Sequence, residues 1–197
     1  MSKNEIEILE AQVRDCFGRV VWTHKTHEKC ADILLDHSRR VKFFQLLLSV
    51  ITTSGILIGL FGDNKGVAIG SALISAILLF LNTYIKEFEL GKVAQEHAQA
   101  AIRIWNIKEL YLSLLTDIKT RKITEEEIRK RRDALQVDLF DVYKVTPRSI
   151  TPAYDKASEA LKKKEEATIT DEEIDSFLPP AVRKIQGKPT PPSDSGA

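Results

Sequence analysis

Charge is what two stretches of this chain lack. Neither Phe43–Phe61 nor Val67–Ile85, 19 residues each, contains an Asp, Glu, Lys or Arg. As helices each would rise about 28 Å, close to the hydrocarbon thickness of a bilayer. Proline is missing too, from Lys3 to Phe61 and again from Val67 to Thr120, so nothing there forces a helix to stop. Cysteine is scarce: Cys16 and Cys30 sit 14 residues apart on one expected helix. That places them about 21 Å apart, beyond disulfide reach, and both are expected to be reduced and cytosolic. There is no excess of either charge sign, with 29 Lys and Arg against 28 Asp and Glu. A net charge of +1 gives no basis for nucleic-acid contact. A secretory leader is not expected, because the first apolar run begins at residue 43, behind a charged segment and without a small-residue cleavage site. Gly-rich phosphate loops, nucleophile elbows, metalloprotease motifs and paired catalytic carboxylates are absent, so no catalytic residue, cofactor or metal is assigned.

What is present is segregated. Composition is ordinary for a soluble domain, 43% hydrophobic and 29% charged, but the apolar residues are concentrated in the two runs. Only Gly62-Asp63-Asn64-Lys65-Gly66 joins them, which forces the second helix back beside the first. Arg39, Arg40 and Lys42 precede the first run, and Lys86 and Lys92 follow the second. This basic excess predicts cytoplasmic termini and a turn on the far side of an inner membrane.

The flanks read as long helices. Ile6, Leu9, Val13, Cys16, Val20, Ala31 and Leu34 recur near a 3.5-residue period, as do Ala94, Ala98, Ala101, Trp105, Leu112 and Leu115. Folding about Asn64 sets residue i opposite roughly residue 128 − i, since both arms rise equally per residue. Trp22 then falls near Trp105, and Cys30 near His97 and Ala98. The expected fold is an all-α membrane protein, a two-transmembrane helical hairpin with a long antiparallel cytosolic stalk of coiled-coil type and short C-terminal helices. Its expected parts are an N-terminal cytosolic helix (1–42), spans at 43–61 and 67–85 around a turn at 62–66, and a stalk helix (86–120). C-terminal helices (121–180) and a disordered Pro-, Ser- and Gly-rich tail (181–197) complete the chain. Thr124-Glu125-Glu126-Glu127 and Thr170-Asp171-Glu172-Glu173 are capping boxes, the first opening a helix to about Val142. Ala153–Glu166 is a further expected helix.

Small and polar residues are patterned inside the spans. Gly55/Gly59, Gly66/Gly70, Ser71/Ser75 and Ala72/Ala76 have the small-xxx-small spacing that lets helices approach closely. Gln45, Ser49 and Thr52 form one polar stripe with Gly59, and Ser71, Ser75 and Asn82 a second. Such stripes either line a watery path in an oligomer or bond across the hairpin and to backbone carbonyls, the latter being the commoner use. The spans hold no acid or base for a proton relay or voltage sensor. In the stalk, His24, His27 and Cys30 fan out around a helix and cannot share one ion. His27, Cys30 and His97 could converge, and an interfacial cluster is the plainer reading. Arg129-Lys130-Arg131-Arg132 follows three glutamates at i, i+4 spacing, as in a solvated helix face.

The segment from Arg19 to Ala31, RVVWTHKTHEKCA, leads through Leu34-Leu35 and basic residues into the two-span hairpin. With its Trp22, Lys25 and Ala31 pattern it resembles the SLATT domain over roughly residues 10–165. That resemblance implies a bacterial membrane effector of conflict systems, linked to nucleotide signals, which assembles and permeabilises the cell membrane. It implies no catalytic residue. The expected partners are the lipid bilayer, further copies of the chain, and a separately encoded sensor or synthase of a nucleotide signal. The rival expectation is a non-conducting scaffold whose stalk recruits a cytosolic enzyme.

Overall fold

The computed structural model describes residues 3–62, 65–164, 168–179 and 182–183. Six helices and no strand occur among these residues: α1 (Lys3–Gly62), α2 (Lys65–Phe88), α3 (Leu90–Lys119), α4 (Glu125–Val145), α5 (Thr151–Lys162) and α6 (Asp171–Phe177). The centre of the expected turn, residues 63–64, and nearly all of the expected tail lie outside them.

Helix α1 is one uninterrupted rod of 60 residues, about 90 Å long, as its freedom from proline allows. The chain returns antiparallel along it, α2 against the apolar half and α3 against the polar half. In the apolar half the usual arrangement of side chains is reversed. Phe43, Leu46, Ile69, Leu73, Leu79 and Phe80 all point outward, while the residues buried there are Thr52 and Ser71. Only 6% of each span's most apolar window is buried, whereas a soluble core helix of this composition would be mostly covered. Both helices are long and apolar enough to cross a membrane. The fold is all-α and built on a two-helix hairpin.

The stalk carries the apolar core that the spans lack. Leu9, Val13, Cys16 and Val20 of α1 meet Ala100, Ile104, Ile107, Tyr111, Leu114 and Ile118 of α3, and α4 adds Ile128, Leu135 and Val142. On α1 the expected positions from Leu9 to Val20 are the buried ones. On α3 the phase differs from the expected one. The seam runs through Ala94, His97, Ala101, Ile104, Ile107, Tyr111, Leu114 and Ile118, leaving Trp105 and Leu112 exposed. A heptad can be phased on Trp105 only if Tyr111 and His97 are kept out of the core, and both polar-tipped rings are in it.

The arm from α2 to α3 is not one helix. Glu89 stands between them at φ 40°, ψ 38°, a left-handed conformation unusual outside glycine. Its amide still bonds the Ile85 carbonyl at 3.2 Å, and its own carbonyl accepts from Lys92 and Val93 at 2.8 and 3.1 Å. The backbone therefore stays satisfied across the break, and the Lys92 ammonium holds the Glu89 carboxylate at 3.1 Å.

Both threonines start helices, Thr124 as a simple N-cap and Thr170 in a reciprocal capping box. The Thr124 hydroxyl accepts from the Glu127 amide, opening α4, which extends to Val145. Thr170 and Glu173 exchange reciprocal bonds of 3.3 and 2.9 Å at the start of α6. Helix α5 ends at Lys162, short of Glu166, which lies outside the described residues. It seats three fully buried alanines, Ala153, Ala157 and Ala160, and packs on α1. The arginine tract behaves as a solvated face with cross-braces. Arg129 and Arg131 pair with Glu125 and Glu127, Arg131 also reaches Asp117 at 2.8 Å, and Arg132 donates to the Gln12 amide oxygen at 2.6 Å.

Candidate functional site

Most of the polar residues of the spans are used within the hairpin. The Gln45 amide donates to Asn82 Oδ1 at 2.6 Å across the seam. Ser49 and Ser75 donate back to the carbonyls of Gln45 and Ser71 at 2.8 and 2.9 Å. Thr52 is buried, and its hydroxyl makes no bond within the protein. Gln45, Ser49 and Ser75 thus have partners within the hairpin, while Ser75 and Asn82 remain exposed on its surface. The small residues divide into two sets. Gly55 packs on Ser71 so closely that a methyl group there would overlap the Ser71 hydroxyl. At Gly59 a methyl group would meet Ala68 at an ordinary 3.8 Å, and at Gly70 it would meet nothing within 4 Å. Gly59, Ala68, Ala72 and Ser75, with Ile56 and Ser71, form an outward-facing groove of about 360 Å³. Gly66 and Ala76 are exposed outside it.

In the stalk, α1 and α3 bring together the two histidines that sequence paired with Cys30. His27 Nδ1 and His97 Nδ1 lie 2.8 Å apart, so one ring donates and the other accepts. The rings are only 5% and 1% exposed. Burial is the largest cause and lowers the pKa of both imidazoles below the ordinary histidine value; His27 falls to about 4, with His97 and His24 adding repulsion. Cys30 is fully buried one turn along, its thiol pushed up by burial and offset in part by the Ile150 backbone. No cluster of three or more His, Cys, Asp or Glu able to hold a metal occurs among the described residues.

The two tryptophans occupy separate environments. Trp22 packs at a tilt against Tyr154 of α5, with 5.4 Å between ring centroids and the Lys162 ammonium 5.2 Å over its ring. Trp105 is half-exposed in an open groove of about 710 Å³ between α1 and α3. Lys25, Ala31, Ala98, Ala101 and Lys108 share that groove, and Lys25 is held by Glu28 at 3.0 Å. Lys108 there pairs with Glu109 at 2.9 Å, and His24 lies 3.9 Å from Glu28.

Sequence reading missed Tyr111, Ile104, Glu89 and Tyr154. The first two were within reach of a heptad phased on every seam residue including the polar-tipped rings. Glu89 and Tyr154 carried no local signal, because a left-handed Glu and the seat of a short helix are set by packing.

No curated protein and no solved structure matches this chain. The model of the SMODS and SLOG-associating 2TM effector domain family 4 matches residues 9–173, from the start of the stalk core into α6. That span includes the hairpin, the histidine pair and the α4 and α5 braces. With two bare apolar helices and most of its length matched, the chain is a membrane protein and belongs to this family of two-transmembrane effectors.

Proposed function

We propose that this effector sits in the inner membrane with both termini in the cytoplasm, assembles with copies of itself and, on activation, opens a pore or breaches the bilayer, stopping growth or killing the cell. The observation that carries this reading is the outward groove of Gly59, Ala68, Ala72 and Ser75. Two helices cannot enclose a lumen, and within the hairpin the groove is unfilled, so close packing of a further span is its natural use. Basic residues at both stalk-side ends of the spans support the orientation. Any conducting path must form between hairpins, because Gln45 and Asn82 are already bonded to each other. The activating signal would come from a separately encoded sensor or nucleotide synthase.

The test is membrane potential and dye uptake in cells induced to express the chain, with and without its genomic neighbours. Loss of potential that requires the neighbours or an infection is the expected result. Gly59→Ile and Ser75→Leu, which fill the groove from positions outside the tight seam, should abolish the loss of potential while insertion persists. An intact potential under every condition overturns the reading.

One observation favours a second reading, a scaffold that docks a soluble partner. The stalk exposes Ile102, Trp105 and Leu112 on α3 and Val137 and Phe140 on α4. Under that reading, removing the α5 segment abolishes partner binding, and overexpression is harmless.

A further inference from the structure

The stalk has two unlike halves. Its distal half, from Leu9 to Val20 against Ile104 to Ile118, is filled by large apolar side chains. Its span-proximal half is filled by small or polar groups: Thr26, His27, Cys30 and Ser38 against Ala94 and His97. The centre of that second half is an imidazole pair closed at 2.8 Å. One ring donates Nδ1–H and the other presents a bare Nδ1, so the contact has room for one bridging proton. A doubly protonated pair would set two cations and two N–H donors against each other in a dry seam.

We propose that the His27–His97 pair is an acid-operated latch: protonation of the pair parts α1 from α3 along the span-proximal half of the stalk, while the distal core keeps the arms joined. This inference does not depend on pore formation. The charges around the pair do little to hold a proton in place. His24 on α1 adds repulsion, and Glu28 lies at 3.9 Å from His24. Glu96 on α3 favours the cation at His97 but is outweighed there by burial. Helix α5 brings its Ile150 backbone to the neighbouring Cys30 thiol. Both histidines therefore bind protons more readily in the opened seam than in the closed one. Their contribution to closure is full above about pH 6.5 and is lost as pH falls from there toward the closed-state value of about 4 for His27. Between pH 7.5 and pH 5.0 that difference raises the opening constant about 25-fold through His27 alone.

The experiment is hydrogen exchange on the full chain in lipid nanodiscs at pH 7.5 and 5.0, corrected for the intrinsic pH dependence of exchange. Segments 26–38 and 90–100 should lose protection by at least about 25-fold at pH 5.0, while 104–118 keeps its protection. In the double variant His27→Gln with His97→Gln, whose amides can bond each other without titrating, the acid effect should vanish. Unchanged protection in the wild-type seam at pH 5.0, or equal acid sensitivity in the double variant, overturns the proposal. Should the variant lose its seam protection at pH 7.5 as well, the wild-type imidazole signals decide by NMR titration. Two midpoints below about 6 support the latch, and either midpoint at or above about 6 overturns it.

Discussion

A methyl group added at Gly55 would overlap the Ser71 hydroxyl, while the same group at Gly59 would rest on Ala68 at 3.8 Å. Two glycines one helical turn apart thus have different duties. Gly55 lets the spans of one chain touch, and Gly59 borders the outward groove. Gly55→Ala should therefore push the Ser71 hydroxyl into another rotamer and cost about 1 kcal/mol, and Gly59→Ala should be close to neutral for the isolated hairpin. Thermal unfolding in detergent checks this, and equal effects at the two positions would remove the distinction. Sequence alone identified the small-residue pattern but could not divide it. The division depends on which face of α1 meets α2, and the spacing of glycines is the same for either face. Likewise the bond between Gln45 and Asn82 was readable only as a shared stripe until the seam put the two amides 2.6 Å apart.

Helix by helix, the starts of α4 and α6 and the length of α1 are legible locally. The reach of α1, and the two threonine caps that open α4 and α6, follow from short-range chemistry: absent proline, and a hydroxyl placed three residues before a glutamate. Thr124→Ala should weaken the docking of α4 by about 1 kcal/mol, seen as faster exchange at Glu127 and Ile128, with no effect on the hairpin. Its docked position is reinforced by Arg132 on Gln12 and by the Tyr143 hydroxyl, 3.2 Å from Thr23. What could not be read locally was relational. The sequence draws the phase of α3 toward Trp105, because a large aromatic ring looks like core. In the folded stalk the ring lies beside the groove lysines instead, and the alanines next to it fill the seam. Helix α5 was recognisable as a helix, but its seat against Trp22 depends on where α4 delivers it.

For the molecule as a whole, stability and response are placed in different halves. The distal core should carry most of the stalk's resistance to unfolding. Ile104→Ala should cost about 2–4 kcal/mol there, measurable by denaturant unfolding in micelles, while the spans stay helical. The span-proximal half contributes less packing and carries the titrating pair. Between that half and the bilayer stands Glu89, and its left-handed turn has a consequence for how the chain tolerates change in length. An extra residue in α1 between Arg40 and Phe43 would turn the whole first span about 100° relative to its stalk, because nothing in a continuous helix absorbs the added rotation. On the returning arm the helical phase is already reset at Glu89. An insertion there can be taken up at a residue that is already irregular rather than carried along a continuous helix. Length variation among chains of this architecture should accordingly gather at the Glu89 junction and avoid the matching level of α1.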